Sequence, residues 1–145
     1  MQNGGIEIMG VIKELIRKEE NNTLSFGDYS LATKTKKSDF EFNGDLYKVK
    51  TFQEITKLEK NGMFVYESIP GTTVNQFAMN GSGVEFSVEG TEDTQITLGL
   101  EPEKDFDVCI NNVSVGVMRS NLGGKLVISL DLVKDNLSDV QVMAV

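Results

Sequence analysis

Four carboxylates fall at alternate positions in the run Glu101-Pro102-Glu103-Lys104-Asp105-Phe106-Asp107. In an extended backbone that spacing sets Glu101, Glu103, Asp105 and Asp107 on one face. Clustered carboxylate oxygens are what a Ca²⁺ ion requires, so these four are the candidate metal ligands. The run lacks the glycine and the Asn/Asp spacing of a calcium loop, and the competing expectation is a solvated acidic face with no metal. Cys109 shares the parity of Asp105 and Asp107, opposite Phe106, Val108 and Ile110. Acids beside a thiol raise its pKa, so a packed or inert thiol is expected rather than a nucleophile. Tyr29, Tyr47 and Tyr66 all lie in the first half of the chain. Exposed on a sheet, they are candidate contacts for a sugar ring or a partner. Buried, they are strand formers anchoring the edges of a core.

Much chemistry is excluded by what is missing. The 145 residues include no His and no Trp. Histidine-based zinc sites, Ser-His-Asp or Cys-His relays and histidine general bases are therefore impossible within one chain. Gly123-Gly124 lacks the Gly-Lys-Ser/Thr ending of a phosphate loop. A glycosidase pair needs a pocket holding two carboxyls with different pKa values, and the 22 acids do not locate one. No catalytic residue and no cofactor is expected. The net charge of −8 opposes binding to nucleic acid or to an anionic membrane. One cysteine precludes an internal disulfide and leans toward the cytoplasm. No apolar run approaches a membrane span, and the start lacks the pattern of a signal peptide.

These residues must be positioned by strands. Val84, Phe86 and Val88 alternate with polar residues, as do Ile96, Leu98 and Leu100, and Phe106, Val108 and Ile110. Val113, Val115 and Val117 follow, then Leu126, Ile128, Leu130 and Leu132. Period-two alternation predicts strands with one buried face. Asn80-Gly81, Gly90-Thr91, Asn111-Asn112 and Gly123-Gly124 supply the turns, Asn111-Asn112 as a two-residue hairpin. A last strand from Val140 to Val145 is expected to close the sheet. In the first half, Val11–Arg17 suits a strand or two helical turns, with Thr23–Phe26 as a hairpin partner. Leu46–Phe52 suits a strand. Residues 51–62 match a capping box at Thr51 and Glu54, but Asn61-Gly62 is a strong hairpin signal, and the hairpin is preferred. The Lys34-Thr35-Lys36-Lys37 run suits a solvated strand or loop.

The expected fold is all-β: an antiparallel β-sandwich in residues 70–145, with a smaller hairpin-rich subdomain in residues 9–69 packed on it. The boundary is set at Pro70-Gly71, where the charge changes. Residues 1–69 carry 10 basic and 11 acidic residues, whereas residues 70–145 carry 4 and 11. Residues 1–8 are expected to be a non-native or disordered extension, with Met9 as the natural start, because Gly4-Gly5 can be encoded by a ribosome-binding sequence.

The runs Gly10–Arg17, Leu24–Tyr29, Gly44–Phe52, Asn61–Ser68 and Asn121–Leu126 together resemble a family of small proteins from anaerobic Firmicutes often called endosialidases. The resemblance covers nearly the whole chain from Met9. It implies glycoside hydrolysis but brings no catalytic residues with it. Sialidases hold their substrate carboxylate with three arginines, and this chain has two, Arg17 and Arg119. Phe106–Leu130 resembles the β-sandwich modules appended to some glycosidases. Three functions are therefore expected in turn: a self-associating structural or interaction module, which exposed sheet edges would favour; a carbohydrate-binding module; and a glycoside hydrolase.

Overall fold

The computed structural model describes residues 11–133 and 136–145. Thirteen strands succeed one another: β1 (Ile16–Lys18), β2 (Leu24–Phe26), β3 (Thr35–Phe42), β4 (Asp45–Phe52), β5 (Ile55–Lys60), β6 (Met63–Ile69), β7 (Thr73–Asn80), β8 (Gly83–Glu89), β9 (Thr94–Gly99), β10 (Asp105–Ile110), β11 (Val113–Arg119), β12 (Lys125–Leu130) and β13 (Ser138–Ala144). They form two antiparallel sheets packed face to face as a β-sandwich. The first runs β1-β2-β7-β8-β13-β10-β11 and the second β12-β9-β6-β5-β4-β3. No helix long and apolar enough to cross a membrane occurs among the described residues.

Asparagine and glycine make the hairpins tight. Asn61 and Gly62 have φ of 51° and 79°, and Asn111 and Asn112 have 52° and 67°. Both central residues at positive φ give the turn whose twist matches the flanking strands. Residues 51–62 are accordingly the end of β4, β5 and a turn, and β5 pairs with both β4 and β6. The expected Thr23–Phe26 hairpin also forms, with Ile16 opposite Phe26.

Pro70-Gly71 lies where the chain crosses from the second sheet to the first, and both sheets draw strands from either side of it. The crossing is close-packed. The Gly71 N–H donates to the Gln53 carbonyl at 2.9 Å, and a Cβ at residue 71 would run into the Phe52 carbonyl oxygen. The expected 1–8 extension lies outside the described residues.

One core joins the sheets. Phe26, Phe77 and Phe86 of the first sheet meet Tyr66 of the second, with ring centroids 5.4, 6.4 and 5.7 Å from it. The near-perpendicular rings suit the aromatic quadrupole, at about 0.5–1.5 kcal/mol per pair beyond area burial. Val84, Phe86, Val88, Ile96, Leu98, Phe106, Val108, Leu126, Ile128, Leu130 and Leu132 are buried, as their alternation requires.

Three points correct or add to the expectations. Val113, Val115 and Val117 are not core: they are 64, 56 and 60% exposed. β11 is an edge, and the register shifts between Val108, opposite Gly116, and Cys109, opposite Ser114. The bulge leaves Val115 unpaired and breaks the alternation that put the three valines on one face. The expected final strand forms, as β13. β13 lies inside the first sheet, between β8 and β10. And the alternation missed β7, whose periodicity is interrupted at Gln76 (φ 56°), where the register with β8 shifts.

Candidate functional site at an exposed sheet edge

The three tyrosines do not come together. Tyr66 is fully buried, so it cannot touch a ligand or partner. Its bulged strand sets it opposite Leu58, inside the sandwich. Its hydroxyl shares a 2.8 Å hydrogen bond with that of Thr72, which shares another with Ser68. The Thr56 hydroxyl donates to the Thr72 carbonyl at 2.8 Å and bonds the Thr51 hydroxyl at the same distance. Thr51 in turn accepts from the Asp28 N–H at 2.9 Å. This buried hydroxyl network satisfies the polar groups at the sheet crossing, and burial pushes the Tyr66 phenol far above its ordinary pKa.

Tyr29 is half-buried and donates to Glu89 Oε2 at 2.8 Å, with Glu89 only 3% exposed. Tyr47 is half-buried at one open side of the sandwich, edge-on to Phe42 at 6.0 Å. It borders a cleft of about 200 Å³ shared with Asp45, Lys60 and Met79. Burial, and then the Asp45 charge, raises its pKa. Asp45 accepts from Asn61 Nδ2 at 2.9 Å and lies 3.5 Å from Lys60 Nζ. The Asn61 hydrogen bond, aided by Lys60 against a smaller opposing desolvation, holds the Asp45 pKa below its ordinary 3.8. The ionised form is the one favoured by folding. Its contribution is complete above pH 3.8 and disappears as the pH falls through the lowered folded value. In urea titrations, wild type should exceed Asp45→Asn at neutral pH, and the gap should close in that acid range.

The acidic run does not build a metal site. Glu103 has φ of 53° in the turn before β10, so residues 101–107 are not one extended segment. Glu101 pairs with Lys104 at 2.8 Å and Asp105 with Arg119 at 3.1 Å, while Asp107 accepts from the Ser114 hydroxyl at 2.7 Å. No group of three or more Asp, Glu, Cys or His side chains fit to hold a metal occurs among the described residues. Cys109 is half-buried beside Asp107; desolvation first, then that carboxylate, raises its thiol pKa. Arg17 is on β1 and Arg119 on β11, the two opposite edges of one seven-stranded sheet. Six strand spacings of about 4.8 Å keep them roughly 29 Å apart.

What the chain does display is an edge. Natural sheets guard their margins by shortness, charge or bulges. β1 has three residues. β3 is charged along its length, and its register shifts between Lys37 and Phe40. β12 opens on Lys125 and exposes one large apolar side chain, Val127. β11 runs for six residues, Val113 to Met118, without a charge. Further exposed apolar side chains lie across β10, with Asp107 between. Val117 and Met143 both sit opposite Asp107, and the Val145 N–H donates to the Asp105 carbonyl. Met143 is 36% and Val145 80% exposed. The bulge spreads the valines around the rim of the strand, which suits side-chain packing more than an unbroken extension of the ladder.

The outer face of the same sheet is polar. Gln76, Glu85, Ser87, Asn112, Asp139 and Gln141 line a groove of about 400 Å³. Ser87 donates to Asp139 at 2.6 Å and Gln141 to Glu85 at 3.3 Å. Neither the valine edge nor this groove is located by the sequence. Alternation assigns the valines to the core, and the groove residues come from strands and turns scattered along the chain.

No family model, curated protein or solved structure matches this chain.

Proposed function

We propose that the protein is a non-catalytic, self-associating structural or interaction module of the cytoplasm, and that two copies meet through β11. The observation that carries this is the uncharged edge strand with Val113, Val115 and Val117 exposed. Clustered exposed apolar side chains mark interaction sites, and two-fold dimers are the commonest homo-oligomers. A single half-buried cysteine suits a reducing compartment. Kinship with the endosialidase-like proteins is part of this proposal, without sialidase chemistry: the two arginines are too far apart to share one substrate carboxylate. Size-exclusion chromatography with light scattering tests the reading. A concentration-dependent dimer or larger species is expected, and a strict monomer at high concentration would overturn it.

A second reading is favoured by the polar groove. Carboxylates, amides and hydroxyls on an exposed sheet face match the donors and acceptors of a sugar. We propose carbohydrate binding there, not at the tyrosines. A glycan array should show binding that Glu85→Ala with Asp139→Ala removes; a blank array retires this reading.

A further inference from the structure

Neighbouring strands β3, β4 and β5 set Lys36 opposite Lys50 and Lys50 opposite Lys57. Directly opposed side chains share a face, with Cβ atoms about 4.5–5.5 Å apart. Lys48 lies two residues before Lys50 on the same strand and therefore on the same face. The four lysines surround a hollow of about 40 Å³ that Glu59 also lines. Glu59 is 3.6 Å from Lys57. Among the described residues, Lys36, Lys48, Lys50 and the adjoining Lys34 make no ion pair. Like charges directly opposite one another destabilise a sheet. Here three stand in a row, with carboxylates beside it: Glu67 lies opposite Lys57 and Glu59 opposite Lys48. The ammonium groups feel one another: desolvation first, then Lys34, Lys57, Lys36 and Lys48, depress the Lys50 pKa.

Two features define what would neutralise this cluster. Every cation in it is lysine. Lysine ammoniums bind phosphoryl oxygens as compact point charges, and four converging on one hollow suit an anion of several charges. Lys34 and Lys50 also border a wider cleft of about 710 Å³ whose walls include Phe52, Ile55, Ile69 and Pro70. Ile69 is 56% exposed there. Glu54 and Glu92 stand on the same cleft, so a long polyanion crossing it would meet like charge.

We infer that this face of the second sheet binds a small ligand carrying two or more phosphoryl groups joined to a flat apolar body, of the nucleoside polyphosphate class. The lysines hold the phosphoryl groups, and Phe52, Ile55, Ile69 and Pro70 cover the body. The site lies on the sheet opposite β11 and stands independently of self-association. Calorimetry on the full chain tests it with two probes, adenosine triphosphate and inorganic tripolyphosphate, both in chelator at low salt. The nucleotide should bind more tightly than tripolyphosphate, and both should weaken as salt screens the lysines. Lys50→Gln should weaken both about tenfold. Ile69→Ser should weaken the nucleotide and leave tripolyphosphate unchanged, with thermal unfolding confirming that both variants fold. Absence of heat with either probe at millimolar concentration, or equal affinity for Lys50→Gln and wild type, overturns the proposal. Equal affinity for the two probes overturns the role of the cleft. Co-sedimentation with anionic phospholipid vesicles that exceeds nucleotide binding would assign the lysines to a membrane surface instead and likewise overturn it.

Discussion

Tyr66→Ala should cost about 3–5 kcal/mol, the usual range for removing a buried aromatic. The ring meets Phe26, Phe77 and Phe86 edge-on across the two sheets, and among the described residues no other ring of the second sheet reaches that cluster. Removing it leaves a cavity at the centre of the sandwich. It also takes one partner from the Thr72 hydroxyl, which keeps its bond to Ser68. Against a typical total of 5–15 kcal/mol the loss is large. It corresponds to a drop in Tm of about 10–20 °C for a domain of this size. Tyr66→Phe separates the two contributions. It keeps the ring and loses one hydrogen bond, at about 1 kcal/mol. Chemical unfolding of the three proteins provides the check. An alanine variant no worse than the phenylalanine variant would show that the ring cluster does not hold the sheets together.

Val113→Lys with Val117→Lys should abolish self-association while leaving the fold intact. Both side chains are more than half exposed, so their substitution should change stability by no more than about 0.5 kcal/mol. In a two-fold contact each substitution occurs twice, and each buried valine contributes about 1.5 kcal/mol or more. Four new charges at the contact add desolvation and mutual repulsion. The dissociation constant should rise at least about a hundredfold, which about 2.8 kcal/mol accomplishes. Sedimentation of the double variant across a concentration series is the measurement, with Met63→Lys as the control. Met63 is 72% exposed on the second sheet, and charge there should not matter. If Met63→Lys disrupts assembly while the β11 variant does not, the contact lies on the other sheet.

The parts of this fold that are legible from residue order are those where alternation runs unbroken. β8, β9, β10 and β12 show it over successive apolar positions, and bury them all but Ile110 at the end of β10, which is half-buried. The Asn61-Gly62 and Asn111-Asn112 turns are equally legible because each needs residues tolerant of positive φ. Failures cluster at bulges. Gln76 in β7, Val65 in β6 and Val115 in β11 each insert a residue that reverses the parity of the rest of the strand, and a period-two pattern cannot register this. The functional surfaces are less legible for a different reason. Lys36, Lys50 and Lys57 are separated by 14 and 7 positions in the chain, and only strand register makes them neighbours. Tyr66 shows the converse. Tyrosine type suggests a contact surface, yet its strand turns it inward to complete a hydroxyl network assembled from five separate positions.

Among the described residues, β13 is the only link between β8 and β10 in the first sheet. Its partner residues in β8 lie about fifty to sixty positions earlier, with Ser138 opposite Val88 and Met143 opposite Gly83. Without it that sheet separates into a four-strand piece and a two-strand hairpin, each with a raw margin. Hairpins can form early because their ends are close in the chain; this junction must wait for a long loop to close. The seating of β13 should therefore be among the late events in folding, as should the pairing of β2 with β7, which lie about as far apart in the chain. Until then the β8 and β10 margins are open to the wrong strand, including the β13 of a neighbouring molecule. A risk of strand exchange thus exists in the middle of a sheet as well as at its visible edge.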